Sequence, residues 1–272
     1  MTPDHYRNLL AQYDELLDHA QAISARLVGQ ELESTDFSYA EAIYTKLICH
    51  GLSLRRLSPS LGDGELWDVA SASAVARALI EAYDAFAYII IHPVDKADRE
   101  FRMLLWELHD QQRRLRMLEN VKSKDPQVDG VRLRASSLLY EVQQHAMFTS
   151  LGKNLQKKIG RGDAPGVHLS QRELNVASVV DHDFYTTATM FLSQYVHTFP
   201  MSVSQLMQFR AGEPDALRVS SMPLQYCMPF LAKAIESAVQ VWPKGRIERT
   251  ERFQRLLSRW ISFAERGLEN AY

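Results

Sequence analysis

The sequence predicts an all-α protein, a bundle of seven to nine mostly antiparallel helices. Two observations support this fold class. Apolar residues recur every three or four positions over most of the 272 residues, which is the period of an amphipathic helix. No segment shows a convincing alternation of apolar and polar residues, which would indicate a half-buried strand. The hydrophobic fraction of 46% is enough to form a large helical core.

The first two predicted helices begin at recognisable caps. Thr2 opens the first helix with Pro3 in its first turn, which is a typical helix start, and Gly29 ends it. Ser38 and Glu41 have the spacing of a capping box, in which each side chain satisfies a free backbone N–H of the other residue. This box predicts the start of a second helix, which ends before a turn-rich loop.

The next three predicted helices are separated by turn signals. An alanine-rich third helix spans residues 67–91 and stops at Pro93, because proline disfavours a helical conformation in the residue before it. Asp95 caps a fourth helix that reaches about Val121 and is apolar on one side. A fifth helix covers residues 131–159, with a possible bend near its end.

A loop and two helices follow. Residues 160–168 contain three glycines and a proline, so we expect a loop there, and a looser joint between parts of the domain. Ser170 and Glu173 form a second capping box, which predicts a short helix. Asp183 can cap a longer helix that reaches Phe199.

The last two predicted helices complete a single domain over residues 1–272. An apolar helix covers residues 215–241, and its two internal prolines should kink or divide it. A final helix covers residues 246–268. We expect residues 215–272 to form an appended helical layer. The side chains predicted for the core are Leu10, Leu17, Ile43, Leu47, Leu79, Phe86, Leu105, Leu139, Phe191, Leu192, Leu231 and Leu257.

Composition excludes several classes of protein. The 31 basic and 33 acidic residues nearly cancel, so no global field draws nucleic acid or an anionic membrane to the chain. The longest apolar stretches are far shorter than the roughly 20 residues that a membrane helix needs. Cys49 and Cys227 do not form a disulfide framework, and no signal-peptide pattern opens the chain. We therefore expect a cytoplasmic protein without a membrane partner. The sequence contains no Gly-rich phosphate loop, Cys-x-x-Cys pair or His-Glu-x-x-His helix, so we expect no cofactor.

Arg77 and Glu81 form an unusual pair in the alanine-rich third helix. Their spacing of four residues places them on the same face, and Asp84 lies about one turn further along. Buried charges are costly unless they are paired and hydrogen-bonded. The pair is therefore either a structural lock that fixes the helix register or part of a working site, and the sequence leaves both interpretations open.

A second polar face lies on the helix predicted to follow Asp183. Tyr185, Thr189, Ser193 and His197 recur every three or four residues, so hydroxyl groups lead along one face to an imidazole near the helix C-terminus. A helix C-terminus favours a protonated histidine, which would suit an anionic partner such as Glu81. A lone histidine in a helix is, however, more often structural than catalytic.

These two helices carry a resemblance to a known family. The chain resembles a family of uncharacterised bacterial all-helical proteins in three features. These are the Arg77 to Glu81 spacing, the charge-rich helix after it, and a later Leu-Ser-x-x-Val-His segment that contains Ser193 and His197. The similarity spans about residues 65–205. It implies a helical bundle with a polar centre formed by these four residues, and it implies no activity.

A more distant resemblance involves Arg102 and His109. The chain is similar to small helical nucleotide-binding domains of prokaryotes and higher eukaryotes, some of which are ribonucleases marked by an arginine, four to six residues and a histidine. The polar residue that usually follows the arginine is replaced by Met103. In a ribonuclease-like protein, either Arg102 and His109 or Arg77 and His197 would supply the cation that binds phosphate and the group that transfers protons.

Asp181, His182 and Asp183 could in principle bind a metal ion. Consecutive residues at a helix start point in different directions, and Asp183 is already assigned as a cap, so we predict no metal site.

The preferred hypothesis is a binding or regulatory module with a buried polar centre that holds a small anionic ligand or a nucleotide. The predicted ligand-binding residues are Arg77, Glu81, Tyr185, Ser193 and His197. One alternative is a ribonuclease-like or nucleotide-modifying domain of stress or phage defence, although the charge balance argues against a nucleic-acid partner. Another alternative is a homodimer that associates through the regions at residues 201–207 and 222–228.

Overall fold

The computed structural model describes residues 1–28, 35–61, 67–92 and 95–267. These ranges contain helices and no strand, so the all-α prediction is confirmed, but there are eleven α-helices rather than seven to nine. Within the same ranges, no helix has the length and apolar character needed to cross a bilayer. In chain order the helices are α1 (Pro3–Leu27), α2 (Thr35–Leu57), α3 (Val69–Phe86), α4 (Lys96–Asn120), α5 (Gln127–Gln144), α6 (Lys153–Gly160), α7 (Gln171–Ala177), α8 (His182–Val196), α9 (Pro200–Gln208), α10 (Pro214–Val241) and α11 (Glu251–Arg266).

Several predicted caps are present. The Thr2 hydroxyl accepts a hydrogen bond from the His5 backbone N–H at 3.2 Å, and Asp95 caps α4 in the same way. Ser170 and Glu173 form the expected reciprocal capping box before α7. These contacts satisfy backbone N–H groups that the first turn of a helix leaves unpaired. The predicted helix end at Gly29 lies outside the described residues.

Other boundaries differ from the prediction. Asp181 caps α8, not Asp183, because its carboxylate accepts from the Phe184 N–H at 2.7 Å. The second helix begins at Thr35, one turn before the predicted Ser38 box. The predicted fifth helix is divided by a short 3-10 helix, Ala146–Ser150, which separates α5 from α6. α3 ends at Phe86 and continues as a π-helical turn, Ala87–Ile91.

The chain divides into two compact units. The first comprises residues 1–87 and 175–272, and the second comprises residues 88–174. The boundaries therefore fall before and after the predicted joint at 160–168. In the first unit, α10 packs against α1, α2, α3 and α11, and most of its side chains are buried. α10 is thus part of the core, and the predicted appended layer at 215–272 is wrong for this helix.

Small side chains allow the helices of the first unit to approach closely. A Cβ at Gly51 of α2 would lie only 2.8 Å from Leu17 Cδ1, and the Tyr13 hydroxyl donates to the Gly51 carbonyl at 3.0 Å. These contacts bring α1 close to α2. Between α10 and α3, the Cys227 thiol lies 3.4 Å from the Ala76 carbonyl oxygen. α3 also packs against α2 and α8.

The second unit has its own core between α4 and α5. Its buried side chains are Phe101, Leu105, Leu108, Leu138, Val142, Ile159 and Ala164. Across both units, eight of the twelve predicted core residues are buried, and Leu10, Ile43, Leu139 and Phe191 are only partly buried. The four exceptions are apolar residues at the edge of a helix face, where periodicity does not distinguish full burial from partial burial.

Candidate functional site

Polar side chains connect α3 to α8 within the first unit. We call Arg77, Glu81, Asp84, Tyr185 and Ser193 the α3–α8 polar row. Arg77 Nε lies 2.9 Å from Glu81 Oε1, so the predicted pair forms. Arg77 Nη1 donates across to the Ser193 hydroxyl and to the backbone carbonyl of residue 189. The guanidinium is therefore committed to partners on both helices.

A second contact lies one turn further along the row. The Tyr185 hydroxyl donates to Asp84 Oδ2 at 2.7 Å. Burial, and next the negative charge of Asp84, raise the pKa of the Tyr185 phenol. The phenol therefore stays protonated and keeps donating at neutral pH. Two polar contacts thus fix the register of α8 against α3.

The polar row is not the buried centre that the sequence predicted. The side chains of Arg77 and Glu81 are 35% and 58% exposed, respectively. Helical periodicity places the two residues on the same face but does not show how much of that face a neighbour covers. Here the row lies at the margin of the α3–α8 contact, where water reaches the charges. The ion pair therefore carries little of the desolvation cost expected for a buried pair.

His197 does not join the row. It is the C-cap residue of α8, its side chain is exposed, and its ring lies 5.5 Å from the Phe199 ring. The chain turns at Thr198, which has a positive φ of 54°. Because α8 ends here, the helical spacing that aligned His197 with Ser193 no longer applies. The predicted inclusion of His197 in a buried site is wrong.

The sequence predicts no metal site at Asp181, His182 and Asp183, which lie at the start of α8. Asp181 caps the helix, and His182 Nδ1 lies 2.9 Å from the Asn175 amide nitrogen. Among the residues that the structure describes, no group of three or more histidine, cysteine, aspartate or glutamate side chains is arranged to hold a metal ion.

Arg102, the proposed phosphate-binding residue, is buried in the second unit. It forms a bidentate ion pair with Asp98, with distances of 2.9 and 2.7 Å, and the two side chains are only 4% and 6% exposed. Its Nη1 donates to the Tyr88 carbonyl at 2.8 Å. His109 is half-buried, with Nδ1 2.8 Å from the Ala164 carbonyl oxygen. A phosphate could reach this guanidinium only by displacing its present partners.

The Arg102 pair belongs to a larger network. The guanidinium lies over the Tyr88 ring, 4.8 Å from its centroid, and the Tyr88 hydroxyl lies 2.7 Å from His168 Nδ1. Burial, and next the nearby Arg102 charge, lower the pKa of His168. Spacing alone does not predict this network, although Asp98 and Arg102 are four residues apart, as Arg77 and Glu81 are.

A cavity of about 180 Å³ lies in the first unit, among the start of α3, the end of α8, α9 and the start of α10. We call it the Trp67 cavity. Trp67, Tyr195 and Phe209 contribute aromatic rings to its wall. The other residues of the wall are Val69, Gln205, Leu206, Ala211, Ala216, Val219 and Ser220. None of these described residues carries a formal charge.

Three neutral polar groups lie in the wall of the Trp67 cavity. The Tyr195 hydroxyl donates to Gln205 Oε1, which leaves the Gln205 amide nitrogen as a donor. Burial raises the pKa of Tyr195 to about 12, so this phenol remains neutral. Ser220 is almost fully buried as a residue and lies in the wall of the cavity. A serine hydroxyl can both donate and accept, so Ser220 adds a group that can hydrogen-bond to a ligand.

No pattern in the sequence predicts the Trp67 cavity. Its wall comes from four helix ends and the segments beside them, and no single helix contributes a periodic polar face. The only overlap with a predicted surface is at Gln205 and Leu206, within the region 201–207 proposed for dimerisation. Residues that meet only in the tertiary structure leave no spacing signal in a single sequence.

Comparison with known proteins places the chain in a family. A family model described as "Family of unknown function (DUF5677)" matches residues 60–214, which is more than half of the chain, and the chain belongs to this family. The match contains α3 to α9, and therefore the polar row and most of the Trp67 cavity wall. Membership of a family of unknown function, predicted over about residues 65–205, is confirmed. No curated protein and no solved structure matches the chain.

Proposed function

We propose that this protein is a helical binding module whose ligand occupies the Trp67 cavity. The observation that supports this function is a cavity of about 180 Å³ with aromatic walls and a few uncharged hydrogen-bonding groups. Ligand sites are typically apolar concavities in which a small number of polar groups fix the orientation of the ligand. Gln205 and Ser220 supply those groups here.

The size of the cavity sets the size of the ligand. An engineered apolar protein cavity of about 150 Å³ binds benzene. A volume of about 180 Å³ therefore fits a molecule with one aromatic ring and a short polar substituent. The rings of Trp67, Tyr195 and Phe209 favour a flat ligand, because aromatic groups gain from offset-stacked and edge-to-face contacts.

The charge of the wall determines which ligands are excluded. An ionised carboxylate in an uncharged cavity would lose its hydration without gaining a counter-charge, which costs several kcal/mol. The ligand is therefore neutral. We therefore propose a neutral ligand in the Trp67 cavity in place of the anionic ligand expected at Arg77. The Arg77 guanidinium is already bonded to the Glu81 carboxylate and to the Ser193 hydroxyl.

The ribonuclease-like alternative receives less support from the geometry. It needs an accessible cation beside an accessible proton carrier. Arg102 is sealed in its ion pair with Asp98, and the Nδ1 of His109 contacts a backbone carbonyl. His197 is exposed at the end of α8, but Arg77, its proposed partner, is committed within the polar row.

The test is calorimetric titration of the full chain with benzyl alcohol and with benzoate. The two probes share the ring and have similar sizes, but only benzoate is charged. We expect benzyl alcohol to bind with a Kd on the order of 1 mM, and benzoate to bind at least about tenfold more weakly.

A variant that fills the cavity provides the control. Ala216→Phe should abolish binding of benzyl alcohol, whereas Ala22→Phe on the exposed face of α1 should leave the Kd unchanged. Circular dichroism establishes that both variants are folded. Equal binding by Ala216→Phe and the wild type would rule out the Trp67 cavity as the site, and tighter binding of benzoate would contradict a neutral ligand.

A further inference from the structure

Helix α9 exposes an apolar surface that the first unit does not cover. We call Phe199, Val203, Leu206 and Met207 the α9 apolar face. All four side chains are exposed, and Met207 is 82% exposed. Met201 is also exposed but lies on the other side of the helix. The only buried residue of α9 is Ser202, and the helix packs mainly against α8. Contiguous exposed apolar residues mark interaction surfaces more often than isolated ones do.

The sequence around this face lacks charge. Residues 184–209 contain no aspartate, glutamate, lysine or arginine, and they are the longest such stretch of the chain. Charged residues make up 24% of the whole sequence, so several would be expected in a stretch of this length. Depletion of charge together with enrichment of methionine and aromatic residues is typical of the core of a protein interface.

We propose that the α9 apolar face is a homodimer interface, on which the second copy places its own α9. A two-fold axis brings a surface into contact with the same surface of the partner. A charged patch would then meet like charge, whereas a charge-free apolar face is complementary to itself. Electrostatics therefore favours a second copy of this chain over a charged partner, whose charges would lose water without gaining a counter-ion.

A lipid bilayer is the other surface that could cover an apolar helix. Helices that lie on membranes usually carry lysine and arginine on their polar face. The polar residues of α9 are serines and glutamines, namely Ser202, Ser204, Gln205 and Gln208. This composition lacks the cations that attract an anionic membrane. Leu206 also contributes to the wall of the Trp67 cavity, but Val203 and Met207, which the experiment changes, do not. The inference can therefore be tested separately from the proposed ligand site.

Sedimentation equilibrium of the full chain tests this inference. We expect the wild type to pass from monomer to dimer as its concentration rises over about 1–100 µM, a range that spans the Kd of a weak interface. Met207→Lys and Val203→Lys each place two unpaired ammonium groups in the dimer, one per copy. Each substitution should raise the dimer Kd at least about 30-fold.

Met117→Lys is the matched control. Met117 is an exposed methionine of α4, and we expect its substitution to leave the dimer Kd unchanged. Circular dichroism checks the fold of each variant, and two positions on the α9 face are tested in case one variant does not fold. A wild type that stays monomeric at the highest concentration would overturn the inference, as would a dimer that both lysine variants leave intact. Flotation of monomeric protein with phosphatidylcholine vesicles would assign the face to lipid instead.

Discussion

Two ion pairs with the same spacing have different environments in this protein. Arg77 and Glu81 on α3 lie at a helix margin, where both side chains remain substantially exposed. Asp98 and Arg102 on α4 are almost completely buried, with the guanidinium bonded to a carboxylate and a backbone carbonyl. Spacing by four residues therefore creates the pair in both helices, but the neighbouring elements decide whether water reaches it.

The two environments have different energetic consequences. Water screens the exposed pair, so its removal leaves each remaining group solvated. In the buried pair each charge compensates the other, because a single charge left behind would lose its counter-charge while it stays shielded from water. Similar spacing thus produces a marginal contact in one unit and a structurally essential one in the other. Neither arginine is free to bind a ligand.

The largest predicted effect is at the buried pair. Arg102→Met leaves Asp98 buried without its cation, and we expect the free energy of unfolding to fall by about 3–5 kcal/mol. Urea denaturation followed by circular dichroism measures this loss.

Helix α4 supplies a matched control for this substitution. Asp110 and Arg114 have the same spacing and the same order as Asp98 and Arg102, but both are exposed. Arg114→Met should therefore change the stability by less than about 0.5 kcal/mol. Equal effects of the two substitutions would show that burial does not distinguish the pairs.

An intermediate effect is predicted for the polar row. Arg77→Ala removes the contacts with Glu81 and Ser193. The Glu81 carboxylate and the Ser193 hydroxyl then remain within reach of water. We expect a loss of about 0.5–1 kcal/mol in the free energy of unfolding. The exposed pair of Asp4 and Arg7 on α1 provides the control, and Arg7→Ala should cost less than Arg77→Ala. A loss above about 3 kcal/mol for Arg77→Ala would mean that the row is sealed from solvent.

The smallest effect is predicted for His197. Its imidazole is exposed beyond the end of α8, so His197→Ala should change the free energy of unfolding by no more than about 0.5 kcal/mol, as is typical of a surface substitution. Differential scanning calorimetry measures the shift. A loss comparable with that of Arg102→Met would place this imidazole in a buried contact and restore the predicted centre.

The sequence predicted most of the helices because their signals are local. Each predicted cap binds a backbone N–H group within four residues of itself. These caps are Thr2, Asp95 and the Ser170–Glu173 box. The Arg77–Glu81 pair also follows from spacing alone. Such contacts depend on the geometry of one helix, which a single sequence encodes directly.

The burial of polar groups was not predictable in the same way. Arg102 resembled a phosphate ligand in the sequence, yet Tyr88 and Asp98 enclose it in the structure. The Trp67 cavity depends on residues as far apart as Trp67 and Ser220. Both features arise from packing between elements, which helical periodicity does not describe.

The proposed ligand site and the ion pairs are therefore located in different places. Each ion pair lies within one helix, and its arginine also bonds to a neighbouring element. The proposed ligand site has aromatic walls and no charge among its described residues. This division explains why the charged residues, which were the strongest signals in the sequence, did not identify the cavity.

The most direct test is an NMR titration of the isotopically labelled full chain with benzyl alcohol. We predict that the largest chemical-shift changes occur at Tyr195, Gln205 and Ser220, with little change at Arg77 and Glu81. Changes centred on Arg77 and Glu81 would contradict the account, and so would a titration at millimolar probe that perturbs neither region.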